Sequence, residues 1–125
     1  MAPDEPTTRC RFGRGMRLKQ ARDFARVRRD GRRLSCGRFI ANWRVLPPGS
    51  SPRLGVITAK KLGNAVVRAR ARRLLREVFR LHQHDLARPV DLVLVAQGPI
   101  VGEAMPAVEE TFMAMLRKAG LLKAA

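Results

Sequence analysis

A nearly unbroken apolar run near the C-terminus places the strongest constraint on how this 125-residue chain folds. Residues 90–96 read VDLVLVA, which is typical of a strand that is buried on both faces or nearly so. Such a strand belongs inside a sheet whose faces are covered. The sequence therefore predicts one small sheet covered by helices.

The other patterns predict three more strands and three helices. A helix over Gln20–Arg29 stops near Gly31, and strand-like alternation follows over Arg32–Leu46 with a break at Gly37. The remaining elements are a strand over Arg53–Lys60, a helix from the N-cap Asn64 to about His82, and a helix from about Glu103 to Ala119 that Gly120 can cap. The order helix, strand, strand, strand, helix, strand, helix predicts an α+β protein.

The positive charge is concentrated in one part of the chain. The sequence has 26 Lys and Arg against 10 Asp and Glu, a net charge of +16. Residues 9–88 hold 23 basic and 4 acidic side chains, whereas residues 89–125 hold 3 and 4. Such a field favours a polyanionic partner, either nucleic acid or an anionic membrane. Residues 1–14 show no periodicity and are expected to form a flexible tail, and residues 15–125 a single domain.

Several classes of protein are excluded by what the sequence lacks. No apolar run is long enough for a membrane helix, and the N-terminus lacks a signal pattern, so we expect a cytoplasmic protein. Cys10 and Cys36 cannot form a disulfide framework and are expected to be inert thiols. The ten acids are scattered, and His82 and His84 are expected at the surface. We therefore predict no catalytic residues, no metal site and no small-molecule substrate.

The segment KKLGNAVVRARARRLLREVFR, residues 60–80, carries most of the functional signal. On a helix, its apolar stripe would be Val67, Ala71, Leu74, Val78 and Leu81. Another side would carry arginines four residues apart, at positions 68, 72, 76 and 80. Like charges at this spacing destabilise a helix, whereas a phosphate chain would pair with them and release counterions.

The start of this helix strengthens the same interpretation. Lys60 and Lys61 precede the turn, and the first backbone N–H groups after Asn64 have no partner within the helix. A helix start of this kind binds anions. A membrane-surface helix is the alternative, but it would want interfacial aromatic residues and this one has only Phe79. The segment therefore predicts a nucleic-acid-binding helix.

The string KKLGNAVVRARARRLLRE resembles the signature of the bacterial ribonuclease P protein component family. The resemblance extends over about residues 16–119, from Arg22-Asp23-Phe24 through Arg53-x-Gly55 to Asp91. It implies a two-layer α/β sandwich with a left-handed strand–helix–strand crossover. It also implies a non-catalytic subunit that binds catalytic RNA and the 5′ leader of precursor tRNA, while the RNA holds Mg²⁺ and cleaves the leader.

The resemblance assigns two groups of site residues. Those implied to bind catalytic RNA are Lys60, Lys61, Asn64, Arg68, Arg70, Arg72 and Arg73, to which the arginine spacing adds Arg76. Those implied to form the leader cleft are Phe24, Val27, Arg28, Ile40 and Asn42. An aromatic ring stacks on any base, which suits a leader of variable sequence, although Phe24 also has the spacing of a core residue.

Four positions depart from the family pattern. Ala69 replaces the central Asn of the basic motif, and Ala71 replaces a larger aliphatic residue. Arg28 and Asn42 stand where aromatic residues are common, so we expect weaker stacking and more charge in the cleft. The alternative function is that of a ribosome-associated or other structural RNA-binding protein with no role in cleavage.

Overall fold

The computed structural model of the protein describes residues 16–18 and 20–123. Its elements are α1 (Ala21–Asp30), β1 (Arg32–Ser35), β2 (Phe39–Val45), β3 (Arg53–Ile57), α2 (Ala65–His82), β4 (Val90–Ala96) and α3 (Met105–Ala119). The predicted order is confirmed. Strand β3 ends three residues before its predicted limit, because the chain turns into a short 3₁₀ helix over Lys60–Leu62. The predicted tail and Cys10 lie outside the described residues.

The apolar strand β4 lies inside a four-stranded sheet of order β1-β2-β4-β3. It pairs antiparallel with β2 and parallel with β3. Six of its seven residues are buried, which confirms the prediction from its composition. Strand β3, helix α2 and strand β4 form a strand–helix–strand unit with adjacent parallel strands. The left-handed sense of this crossover stays a prediction from the family resemblance.

The two faces of the sheet are covered unequally. One face packs against α2 and α3 over a large core that includes Phe39, Trp43 and Phe112. The other face carries α1 over a small core of Leu18, Val27 and Val93. The α+β class is confirmed, and the sheet with α2 and α3 makes the two expected layers. Helix α1 lies on the opposite side and covers part of that face.

The predicted apolar stripe of α2 is wrong at Leu81 and omits two core residues, whereas Ala71 and Val78 lie in the core as predicted. Leu75 and Phe79 are fully buried although the spacing does not select them, and Leu81 is 40% exposed although the spacing selects it. The sequence has consecutive apolar pairs, Leu74-Leu75 and Val78-Phe79. Periodicity cannot choose between neighbours in such pairs, so the rotation of the helix against the sheet is settled by packing.

One buried carboxylate connects three strands beneath α1. Asp91 on β4 is 2% exposed. Arg53 on β3 donates from Nε and Nη2 to its two carboxylate oxygens, each at 2.8 Å. Arg44 on β2 donates from Nη2 at 3.5 Å. Since β2, β4 and β3 are neighbours, this group holds their ends in register.

The start of α3 lies two residues after its predicted position. Glu103 precedes the helix, and its Oε2 accepts a hydrogen bond from Arg38 Nε at 2.9 Å, which ties this loop to the start of β2. At the other end Gly120 has a φ of 72°, and its N–H donates to the carbonyl oxygens of Leu116 and Arg117. The predicted glycine cap is confirmed.

His82 connects α2 to α3, so its predicted surface position is wrong. Its Nδ1 lies 2.7 Å from Asp85 Oδ2 and its Nε2 lies 2.6 Å from Glu109 Oε2, with 17% of the side chain exposed. Its ring also packs against Phe112. Burial lowers the pKa of the imidazole, but the hydrogen bonds with the two carboxylates outweigh burial and raise the pKa above its ordinary value.

The raised pKa of His82 predicts a stability that depends on pH. A group whose pKa rises on folding stabilises the folded state fully below its unfolded pKa, and this contribution is lost as pH rises through the folded pKa. We expect the free energy of unfolding to fall as the pH rises from the ordinary pKa of histidine through the higher pKa of folded His82. Urea unfolding at several pH values measures it. His82→Gln should flatten this part of the profile, and His84→Gln, at an exposed position, should not. Identical profiles for the two variants would contradict the assignment.

Candidate RNA interface

Helix α2 carries a row of arginines along the flank that faces β3. Arg68, Arg72 and Arg76 are four residues apart and therefore share this flank. Arg72 Nη1 donates to Thr58 Oγ1 at 2.8 Å, and Thr58 directly follows β3. Arg76 lies near Arg17, whose backbone bridges to β3. We call Arg68, Arg72 and Arg76 the arginine row.

The arginine row concentrates positive charge that the described residues do not fully compensate. Burial, together with the charges of Arg17 and Arg72, lowers the pKa of Arg76. The Nε atom of Arg68 is buried and has no hydrogen-bond partner among the described residues. A buried donor without an acceptor and a row of like charges both raise the free energy of the isolated protein. A polyanion lying along this flank would reduce the repulsion within the row.

The N-terminal end of α2 adds two lysines to this surface. Lys60 and Lys61 are exposed on the 3₁₀ helix that precedes α2. The Asn64 side-chain oxygen accepts a hydrogen bond from the Val67 N–H at 2.9 Å, so the predicted N-cap is confirmed. The side chain of Asn64 therefore has a structural role at an exposed position, and the lysines are free to meet a partner.

The remaining predicted residues of α2 extend around the helix. Arg70 lies on the opposite flank, where its Nη2 donates to the carbonyl oxygen of Glu103 at 3.0 Å. Arg73 is exposed and lies between the two flanks. The eight predicted residues thus form no single face. They surround the solvent side of α2 and its N-terminal turn.

A cleft of about 240 Å³ opens between α1 and the sheet. Its lining residues are Phe24, Arg28, Asn42, Ile57, Val93 and Val95. Three of the five residues predicted for a leader cleft are among them. Val27 is 1% exposed and lies in the small core beneath α1, because its position on the helix turns it inward. Ile40 is half-buried on the same face of the sheet but does not line the cleft.

Phe24 forms one wall of the cleft and also packs against the sheet. A Cβ atom on Gly55 would lie 2.1 Å from Phe24 Cε1 and 3.0 Å from Cζ. The ring therefore rests directly on the backbone of β3, where only glycine leaves room for it. The two interpretations of Phe24 are compatible, because one side of the ring packs and the ring also lines the cleft.

The lining of the cleft is apolar except for two side chains. Arg28 on α1 and Asn42 on β2 supply its polar groups, and Phe24 is its one aromatic residue. Arg28 is exposed. A flat apolar slot with one ring and a flexible guanidinium suits a base whose phosphate lies near the cationic side chain.

Three of the lining residues are not indicated by the sequence. Ile57, Val93 and Val95 lie on β3 and β4, and the pairing register places Ile57 opposite Val95. Alternation along β3 does put Gly55 and Ile57 on one face. The sequence does not indicate which strands are neighbours, and this pairing is what brings the two valines into the cleft.

The outer edge of β3 separates the arginine row from the cleft. The Leu18 N–H donates to the carbonyl oxygen of Leu54 on β3 at 2.8 Å. Leu18 is buried in the small core under α1, while its neighbour Arg17 lies near Arg76 of the arginine row. Two consecutive residues thus lie beside the two candidate sites.

Other kinds of site find no support in the described part of the chain. Residues 16–18 and 20–123 contain no group of three His, Cys, Asp or Glu side chains that could hold a metal ion. Burial raises the pKa of the Cys36 thiol, which makes it less reactive. None of the described helices combines the length and the apolar character that a membrane span requires.

Comparison with known proteins identifies a family. A family model described as Ribonuclease P matches residues 12–120. The ribonuclease P protein component of Syntrophomonas wolfei subsp. wolfei is 37% identical over 105 residues, which cover 84% of this chain and 87% of that protein. The ribonuclease P protein component of Roseiflexus castenholzii is 38% identical over 113 residues, which cover 90% and 92%.

Solved structures share this fold. The RNase P protein of Staphylococcus aureus aligns with a TM-score of 0.77 and 26% identity, covering 86% of this chain and 98% of that one. The RNase P protein from Thermotoga maritima aligns with a TM-score of 0.72 and 24% identity, covering 82% and 96%, a likeness of fold alone. Sequence, fold and the basic helix agree: the chain belongs to the ribonuclease P protein component family, RNA-binding subunits that act in tRNA processing.

Proposed function

We propose that this protein binds the catalytic RNA of ribonuclease P through α2 and the 5′ leader of precursor tRNA through the cleft under α1. The observation that carries the proposal is the arginine row, whose like charges the described residues do not fully compensate. The family membership supplies the enzyme to which these RNAs belong.

A structured RNA fits the surface of α2 better than a protein partner does. The basic side chains occupy both flanks and the exposed side of the helix, from Lys60 and Lys61 to Arg76. Guanidinium groups bind phosphate oxygens in pairs, and each contact releases counterions. A folded RNA presents phosphates on several sides, which matches a helix that is basic on most of its solvent-facing surface.

Single-stranded RNA fits the cleft. Its walls are one aromatic ring and three aliphatic side chains, and no large base-pairing surface is available. Stacking on Phe24 is tolerant of base identity, which a leader of variable sequence requires. The cleft therefore supports leader binding without strong selection for a particular base.

The role of the protein in the cleavage reaction is binding and orientation. The catalytic RNA supplies the Mg²⁺ ions and the chemistry, and the side chains of this protein hold the two RNAs relative to each other. By neutralising phosphates near the cleavage site, the arginines would also favour binding of Mg²⁺ by the RNA at lower concentrations.

Reconstitution with the cognate catalytic RNA tests the proposal directly. We expect faster removal of the leader at low Mg²⁺ concentration when the protein is present, and a smaller effect at high Mg²⁺. Absence of any acceleration would overturn the proposal and favour a structural RNA-binding protein with no part in cleavage.

Phe24→Ala provides a specific test of the cleft. Loss of one stacked base is worth about 1–3 kcal/mol, so the reconstituted enzyme should bind precursor tRNA about 10-fold more weakly. Binding of mature tRNA, which has no leader, should change little. Equal losses for both RNAs would show that Phe24 acts only through packing.

A further inference from the structure

The sheet face that forms the floor of the cleft continues outward to the edge strand β1. The register pairs Arg33 on β1 with Asn42 on β2, and Asn42 with Val93 on β4. Residues directly opposite each other in antiparallel strands project on the same face, with Cα atoms about 5 Å apart. Asn42 and Val93 both line the cleft. The side chain of Arg33 therefore projects from the same face of the sheet as the cleft, from the strand next to β2, whose Asn42 lines the cleft.

Arg33 is also available to a partner. It is exposed, and β1 is the edge strand of the sheet. Within residues 16–18 and 20–123, neither the side chain of Arg33 nor that of Arg28 makes a hydrogen bond or an ion pair. Two arginines with unpaired side chains thus lie next to Asn42: Arg28 on α1 lines the cleft with it, and Arg33 on β1 is opposite it in the register. An anion placed between them would interact favourably with both.

On this basis we infer that Arg33 is a phosphate-binding residue at the outer rim of the cleft, and that it binds the backbone of the leader. The inference rests on the proposed function of the cleft. An RNA strand that stacks one base on Phe24 must direct its sugar-phosphate backbone away from the apolar lining and toward solvent. The cationic side chains at the polar end, Arg28 and Arg33, are then the groups that its phosphates meet.

The neighbouring residue Arg32 provides a matched control. It is exposed like Arg33, but its register partner is Trp43, which belongs to the large core. Because successive residues of a strand alternate between faces, Arg32 projects on the side of α2 and α3. Arg32→Ala and Arg33→Ala remove the same charge from the same strand, and only the second removes it from the face of the cleft.

The experiment measures binding of precursor tRNA and of mature tRNA to the reconstituted enzyme over a range of salt concentrations. For Arg33→Ala we expect the leader-dependent part of the affinity to fall several-fold. We expect its salt dependence to lose about 0.7 in slope, the value for one phosphate of a single strand. The loss should therefore be about 2.5-fold larger at 50 mM than at 200 mM salt. Arg32→Ala should leave both quantities unchanged.

Three results would overturn the inference. Equal effects of Arg32→Ala and Arg33→Ala would mean that net charge alone matters. An equal loss for mature and precursor tRNA with Arg33→Ala would mean that Arg33 contacts a different RNA. Phe24→Ala separates these results from failure of the proposed function. If Phe24→Ala reduces leader binding and Arg33→Ala does not, the cleft is the leader site and only the rim assignment is wrong.

Discussion

Replacing Arg68, Arg70 and Arg72 together with alanine should weaken binding to the catalytic RNA by about 100-fold at moderate salt. Each guanidinium that no longer binds a phosphate removes one set of released counterions. The slope of log affinity against log salt should therefore flatten by about 0.9 for every phosphate that the variant leaves unbound. Filter binding or fluorescence anisotropy over a salt series measures both the affinity and the slope.

A charge-matched variant controls for the removal of three positive charges. Arg32, Arg88 and Arg117 are exposed and lie outside α2, so their joint replacement with alanine lowers the net charge by the same amount. This variant should keep most of the affinity and the original slope. If the two triple variants behave alike, α2 is not the contact surface.

Replacing Asp91 with alanine should destabilise the fold by about 2–3 kcal/mol, which corresponds to roughly 10–15 °C in Tm. The change leaves Arg53 and Arg44 without the buried carboxylate that holds them. Removing one partner of a fully buried pair costs about 3–5 kcal/mol, and partial exposure of both arginines reduces this cost here because water can reach them. Denaturant unfolding measures the difference.

A double variant tests whether the arginine without its partner causes the destabilisation. In Asp91→Leu with Arg53→Met the buried charge and its main partner are both replaced by apolar side chains. Such replacements recover much of the stability that a single deletion removes. A decrease below about 0.5 kcal/mol for Asp91→Ala, the range of an ordinary surface substitution, would show that the ion pair contributes little to holding the strands.

Local signals in the sequence were sufficient to predict the helices and strands of the fold. The apolar run of β4, the cap at Asn64 and the glycine at 120 each act within a few residues, and the structure confirms all three. The arginine row was predictable for the same reason, because spacing along one helix determines it. These features need no knowledge of which elements are neighbours.

Long-range pairing accounts for what the sequence did not predict. The lining of the cleft by Val93 and Val95 depends on β4 lying beside both β2 and β3. The position of His82 depends on Glu109, which is 27 residues away on another helix. In α2, the full burial of Leu75 beside the half-buried Leu74 depends on how the helix rotates against the sheet. Each of these contacts is decided by packing between elements.

Helix α1 packs on the smaller of the two cores and forms one side of the cleft. Segments with few buried contacts open most easily, and hydrogen exchange detects such openings before the rest of the domain unfolds. Any RNA strand bound in the cleft contacts both α1 and the sheet, so its binding free energy adds to the stability of this helix. Substrate binding and the ordering of α1 are therefore thermodynamically coupled.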